Sequence, residues 1–270
     1  MLTELPLSSV ISSVGLTADC PPAELALRAI AAGNSPGRVW AAADALLLWD
    51  QGNQVVYLAA ADQQAAATPA RLVPLFAAAR QRGLRWLKLR PLSTALTDAL
   101  LTHFAADELI PSDSIGFTLS GTMPAAAELP PDIRIVDIDA DLLAADDLAH
   151  HDELLDEIRS MWGSVDPFRR AGFGVAARRG HALIGWCTAE FVSPGRCGIG
   201  IAVHPAEQRR GIATALGSTF LAECLRRTIS PWWETGRGNV ASRRTACRLG
   251  FHEAAQIPGW LIDISRLSRS

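Results

Sequence analysis

Two spacings of apolar positions alternate along this chain. Apolar residues three and four apart, closed by glycine or opened by proline, predict helices over 21–30, 69–82, 94–104, 141–160 and 239–249, with another beginning after Gly211. That last helix is expected to carry Ile212, Leu216, Phe220, Leu221 and Leu225 towards a core. Alternating or continuous apolar runs predict strands over 39–49, 54–60, 84–89, 114–119, 133–138, 172–178, 182–192, 195–203 and 231–235, and a final strand pair ending at Ile264. Asp50-Gln51-Gly52-Asn53 and Arg179-Gly180 supply turn chemistry for two hairpins. Helices interleaved with strands predict an α/β (α+β) protein.

Residues 121–131 gather Pro124, Pro130, Pro131 and small side chains, which is linker composition. A boundary there gives two domains, 1–125 and 126–270. The two halves share a loose strand, hairpin and helix order. A chain of 270 residues, 49% hydrophobic and 20% charged, has enough apolar mass for such cores.

The net charge of -3 gives no reason to expect a nucleic-acid partner. The first twenty residues lack a basic leader segment, and no apolar run approaches a membrane span, so a cytoplasmic protein without a membrane partner is expected. Cys20, Cys187, Cys197, Cys224 and Cys247 are odd in number and form no C-x-x-C pair, so neither a metal site nor a disulfide framework is indicated.

The most informative stretch is 199–214. An apolar strand ends at Val203, turns through His204-Pro205, and hands over to Gln208-Arg209-Arg210-Gly211-Ile212-Ala213 at a helix start. The first N–H groups of a helix lack internal acceptors and carry partial positive charge, which suits an anion. Gly211 removes the Cβ that would keep a phosphate away from the backbone, Ala213 keeps the next turn slim, and Arg209 and Arg210 can add charge-assisted contacts to a diphosphate.

With these residues in place, the second half resembles the GNAT superfamily of N-acyltransferases. Gln208-Arg209-Arg210-Gly211-Ile212-Ala213 is similar to that superfamily's Q/R-x-x-G-x-G/A motif for acetyl-CoA, and Asn239-Val240-Ala241-Ser242 followed by Leu249-Gly250-Phe251 is similar to its N-x-x-S and LGF signature. Trp162-Gly163-Ser164, Phe168, Gly172-Phe173-Gly174, Trp186-Cys187 and Trp232-Trp233 resemble the zwittermicin-resistance-type group, whose members carry an extra N-terminal region. The first half matches only in outline, as a smaller and divergent GNAT-like α/β lobe.

The resemblance implies a mixed, mostly antiparallel sheet with helices on both faces. It implies a gap between the strand ending at Val203 and the one starting near Trp232, where the pantetheine arm of acetyl-CoA would lie. The backbone at Ile201, Ala202 and Val203 would pair with the pantetheine amides. Gln208, Arg209, Arg210, Gly211, Ile212, Ala213 and Thr214 would hold the pyrophosphate. Asn239 would bond the cofactor through its amide while serving as a helix cap, with Ser242 at the third helical position.

Direct transfer to an amine needs a group to take the amine's proton. The superfamily's usual strand carboxylate is absent from Arg196-Cys197-Gly198-Ile199, and Ala246 stands where many members use a tyrosine acid. Glu190 and Glu234 are the substitutes, on the strands flanking the gap. Cys187 and Cys247 are read as small buried side chains, and the acidic residues between Asp139 and Glu157 as a solvated helix face or a wall facing a cationic amine. The expected activity is acetyl-CoA-dependent N-acetylation of a small amine by a monomer or homodimer. The alternatives are a protein N-acetyltransferase and a non-catalytic acyl-CoA-binding module.

Overall fold

The computed structural model describes residues 3–6, 20–42, 44–120 and 129–267. In chain order the elements are β1 (Thr3–Glu4), α1 (Pro21–Ala31), β2 (Gly37–Ala42), β3 (Ala45–Asp50), β4 (Val55–Ala60), α2 (Asp62–Ala65), a 3-10 turn (Pro69–Leu72), α3 (Val73–Gln81), β5 (Trp86–Pro91), α4 (Thr94–His103), β6 (Leu109–Pro111) and β7 (Ser114–Leu119). There follow β8 (Ile133–Asp137), α5 (Ala140–Ala144), α6 (His151–Trp162), α7 (Val165–Ala171), β9 (Gly174–Arg179), β10 (Ala182–Ser193), β11 (Arg196–Val203), a 3-10 turn (Pro205–Glu207), α8 (Ile212–Arg226), β12 (Ser230–Gly236), α9 (Val240–Arg248), β13 (Phe251–Ile257) and β14 (Trp260–Asp263). No helix among the described residues is long and apolar enough to cross a membrane.

The strands form two seven-stranded sheets, ordered β1-β2-β3-β4-β5-β14-β6 and β13-β7-β12-β11-β10-β9-β8. Read from opposite ends the two sheets have one plan. In each, four strands run antiparallel, a fifth joins in parallel after a helical crossover (β4 to β5, β11 to β12), and a last helix leads to the edge strand β6 or β13. The sixth place in each sheet is taken by the final strand of the other half: β14 lies between β5 and β6, and β7 lies between β12 and β13.

The chain accordingly forms two compact units, one of residues 1–32, 36–114 and 256–270, the other of 33–35 and 115–255. The linker composition at 121–131 falls mostly on 121–128, outside the described residues. The strand pair expected at the C-terminus is not a pair. β13 and β14 enter different sheets, because Ile262 fills the core around Leu87 and Leu89 of the first unit.

The first unit buries Trp49, Leu58, Leu72, Leu75 and Leu89 against its helices. One expected strand over 39–49 is two, β2 and β3, which pair antiparallel from Gly37↔Asp50 to Ala42↔Ala45; Ala43 lies outside the described residues. The expected helix over 69–82 starts as a 3-10 turn, and α3 follows with Pro74 in its first turn, where the missing N–H costs no helical hydrogen bond. β6, α2 and α7 were not anticipated; each is short, and short elements carry little periodic signal.

Asp50 at the end of β3 is fully buried. It accepts hydrogen bonds from the Gly52 and Asn53 backbone N–H groups and the Asn53 side-chain amide. Burial pushes its carboxyl up to about 6, and the three hydrogen bonds and the Arg90 charge only partly offset that. A carboxyl with a raised folded value binds its proton more tightly when folded. Its contribution to stability is therefore fully present below the unfolded value near 3.8 and is lost as pH rises through about 6. Asp50→Asn keeps an acceptor for the turn and removes this dependence. The stability of the variant relative to wild type is expected to rise by up to about 3 kcal/mol between pH 4 and pH 7, read by urea unfolding at each pH. A flat difference would show that Asp50 is ionised in the fold without penalty.

In the second unit, one core cluster packs Leu154, Ile158, Trp162, Phe168, Leu216 and Phe220 against the sheet, and another joins Phe117, Leu221, Trp233, Leu249 and Phe251. On α8 the inward row is Ile212, Leu216, Phe220 and Cys224; Leu225, expected in the core, is 75% exposed because Cys224 occupies the inward position of the last turn.

Candidate active site

β11 is the centre of the site. It pairs with β10 antiparallel from Arg196 to Val203, ending at Gly185↔Val203. With β12 it pairs in parallel only at Arg196↔Ser230, Cys197↔Pro231 and Gly198↔Trp232. From Ile199 to Val203 the strand has a ladder on one side only. All five residues are half-buried, although β11 lies in the interior of a seven-stranded sheet. Their outward N–H and C=O groups behave as an edge does, ready to pair with an added extended chain.

The turn beyond Val203 is built by local bonds. The His204 N–H donates to Ile184, and the Gln208 side-chain amide donates to the Val203 carbonyl at 3.1 Å, tying the turn back to the strand end. Arg209 and Gly211 both adopt left-handed backbone, with φ of 63° and 82°. Gly211 is the N-cap of α8 and offers no side chain, and no acidic residue sits in the first turn. The N–H groups of Ile212, Ala213 and Thr214 thus open α8 without a side-chain acceptor, in a region of positive potential.

Arg210 is engaged with Glu207 at 3.0 Å; Glu207 also binds Arg179, which pairs with Asp132. Arg209 is exposed and has no acidic partner among the described residues. Of the two arginines expected to reach a diphosphate, Arg209 is the one whose charge is not already matched.

Asn239 is the N-cap of α9, its side-chain oxygen accepting from the Ser242 N–H at 3.1 Å. The Ser242 hydroxyl accepts from the Trp233 indole N–H at 3.0 Å. Ser242 therefore fastens α9 to β12, while Asn239 is exposed and keeps its amide N–H groups available.

The sheet has two faces here. Cys187 and Cys197 lie with Cys224 on the α8 side, where burial pushes the Cys187 thiol, and a hydrogen bond with Cys224 followed by burial pushes the Cys197 thiol, well above the usual range. Neither supplies a thiolate. Cys247, expected to be buried, is exposed on α9. Strand alternation puts Trp186, Thr188 and Glu190 of β10, Gly198, Gly200 and Ala202 of β11, and Trp232 and Glu234 of β12 on the other face.

The register gives Glu190↔Gly198↔Trp232 in one row and Thr188↔Gly200 in the next. A Cβ at Gly200 would run into the Glu190 carboxylate, and one at Gly116 would run into the Trp232 ring. At Gly116 the rigid indole leaves no space for a side chain, whereas at Gly200 the neighbour is the end of a flexible glutamate. The structure thus brings the two candidate carboxylates, Glu190 and Glu234, to one face of the sheet; both are half-buried.

A third carboxylate shares this face. Glu157 of α6 accepts from the Trp186 indole N–H at 2.7 Å. Burial raises its pKa, and the indole hydrogen bond lowers it by less. The acidic run from Asp139 to Glu157 reads as a solvated helix face or as a wall facing a cationic amine, and only Glu157 of that run is not exposed. Its place on the stripe of Leu154 and Met161, three and four positions away, was the available sign.

The site thus combines an open strand side with a helix start that no side chain caps. The family model described as GNAT acetyltransferase matches residues 77–258, more than half of the chain, and the chain belongs to that family. Over 127 residues it is 28% identical to the uncharacterized N-acetyltransferase YdfB of Bacillus subtilis (strain 168). That match covers 46% of each protein, so the chain spans less than half the length of this curated relative.

Among solved structures, a GCN5-related N-acetyltransferase-like protein from Streptococcus suis 89/1591 is similar with a TM-score of 0.63 and 15% identity, over 85% of this chain and 89% of that one. A tandem GNAT protein from the clavulanic acid biosynthesis pathway is similar with a TM-score of 0.60 and 14% identity, over 99% of this chain and 100% of that one. At these identities the likeness is one of fold.

Proposed function

We propose that this protein transfers an acetyl group from acetyl-CoA directly to the amine of a small molecule. The observation that carries the reading is the loss of pairing between β11 and β12 after Gly198↔Trp232, next to the uncapped start of α8. The backbone of Ile201, Ala202 and Val203 fits the pantetheine amides. The N–H groups from Arg209 to Thr214 fit the pyrophosphate, with Gly211 allowing close approach, Arg209 adding charge and Asn239 donating from α9. Acetyl-CoA supplies the activated thioester. The chain's part is to hold the amine beside the thioester and to remove its proton, with Glu190 and Glu234 on the strands flanking the gap providing negative charge for a cationic amine.

We further propose that the N-terminal unit is a diverged GNAT-like lobe, the extra region of the zwittermicin-resistance-type group. Its support is the shared sheet plan and the full-length likeness to a tandem GNAT protein. In that lobe β4 and β5 pair from Val55↔Lys88 through Leu58↔Pro91, so that only Ala59 and Ala60 of β4 run past the ladder, against Ile199 to Val203 of β11 in the other sheet. Asp62 opens α2 after β4, placing negative charge where α8 has none. One acetyl-CoA per chain is therefore expected, bound by the second unit in a cytoplasmic protein.

Calorimetry with acetyl-CoA, run beside thiol detection against small amines and N-terminal peptides, tests the reading. Binding of one equivalent and thiol release with small amines supports it. Thiol release with peptides alone favours a protein substrate, and tight binding without release favours a sensing module. No binding removes the donor site altogether.

A further inference from the structure

We propose that Glu157 of α6 is the group that takes the proton from the acceptor amine, with the Trp186 indole as its positioning residue. The proposal rests on the acetyl-CoA reading above for the donor. Eight acidic residues lie between Asp139 and Glu157, and seven of them are exposed. Asp139 caps α5, and Asp147, Glu153 and Asp156 lie beside His181, His150 and Arg159 at the surface. Glu157 alone is turned inward, its carboxylate bonded to Trp186 at 2.7 Å.

Trp186 stands opposite Ala202 in the β10–β11 ladder, inside the stretch of β11 that β12 leaves unpaired. The β11 residues on this face, Gly198, Gly200 and Ala202, carry almost no side chain, and this is the face on which Glu157 bonds Trp186. The Glu190 carboxylate crosses Gly200 on this face, so the Glu157–Trp186 pair faces the strand nearest Ala202. Glu157 reaches this face from α6 and is held there by Trp186, while Glu190 and Glu234 stand on the sheet itself; burial raises the proton affinity of Glu157, which suits a proton acceptor.

On the elements packed most closely against α6 the titratable groups are Cys187 and Glu190 on β10 and the exposed Asp166, Arg169 and Arg170 on α7. On α6 itself they are the buried His151, whose ring nitrogen bonds the Leu142 carbonyl, and the exposed Asp152, Glu153, Asp156 and Arg159.

The bound ammonium gives one proton to Glu157. The freed lone pair forms the C–N bond at the thioester carbonyl, and the C–S bond breaks with its electron pair on sulfur. The second proton leaves the nitrogen and ends on that thiolate, while Glu157 returns its own proton to water.

The test uses the full chain, acetyl-CoA, and spermidine, glucosamine and tryptamine as probe amines. Glu157→Gln is expected to bind acetyl-CoA as wild type does and to lose about 100-fold or more in kcat/KM. The acid limb of its pH–rate profile should disappear, and Glu157→Asp should restore part of the rate. Trp186→Phe removes a hydrogen bond that lowers the carboxyl's pKa, so its acid limb should move to higher pH. A Glu157→Gln enzyme within about threefold of wild type, with its acid limb intact, overturns the proposal. So does a wild-type protein that binds acetyl-CoA but releases thiol with none of the amines. An unmoved limb in Trp186→Phe overturns the positioning role. A wild-type protein that does not bind acetyl-CoA defeats the donor reading instead, and the calorimetry shows which has failed.

Discussion

Gly211→Glu is expected to abolish acetyl-CoA binding, by at least about 100-fold, or nearly 3 kcal/mol. Two effects add. Gly211 has φ of 82°, and a side chain there costs about 1–2 kcal/mol in left-handed backbone. The new carboxylate also sits at the mouth of α8, where the first turn carries no acid and the helix presents roughly half a positive charge. A glutamate satisfies that potential from within and repels a pyrophosphate. Gly211→Ala separates the two terms, since it carries the backbone strain without the charge, and is expected to lose only about tenfold. Calorimetry with acetyl-CoA and a thermal melt of both variants decide the matter. Unchanged affinity in Gly211→Glu would mean that the phosphates bind elsewhere.

Trp233→Ala should be the most destabilising of the substitutions considered. Trp233 is 2% exposed and packs against Phe251, with ring centroids 5.6 Å apart, in the cluster that holds α8 and α9 to β12. Emptying that volume costs about 3–5 kcal/mol. It also strands the Ser242 hydroxyl, whose partner is the Trp233 indole. Trp233→Phe keeps most of the packing and gives up the hydrogen bond, for about 1–2 kcal/mol. Urea unfolding of the three proteins gives the comparison. Because β12 borders the gap and α9 carries Asn239, Trp233→Ala is also expected to weaken acetyl-CoA binding. A loss of under about 1 kcal/mol in stability would show that this cluster does not hold the second unit together.

Much of the second unit was legible because its signals are local. The run from Ile199 to Ala213 reads as strand, turn and glycine-started helix, and it folds as β11, the turn and α8. Asn239 reads as a cap and accepts from Ser242 as a cap does. Ser114 to Leu119 reads as a strand and is β7 with those limits. The misreadings share one cause, which is that periodicity reports a buried face and not what covers it. Leu225 has helical spacing, yet the inward place beside it is filled by Cys224. Glu157 sits in an acidic run, yet α6 turns it to Trp186 and leaves its neighbours in water.

The sequence by itself determined the elements, the glycine at the mouth of α8 and the cap of α9, because backbone preference, chain order and spacing act within a few residues. Only the tertiary structure decided which strands meet. It sent β7 and β14 to the sheets of opposite halves, parted β11 from β12 after Gly198, zipped β4 to β5, and gathered Glu157, Glu190 and Glu234 on one sheet face. Those outcomes depend on pairing between residues far apart in the chain. The free energy of such pairing comes from packing and ladder hydrogen bonds that no local window of sequence contains.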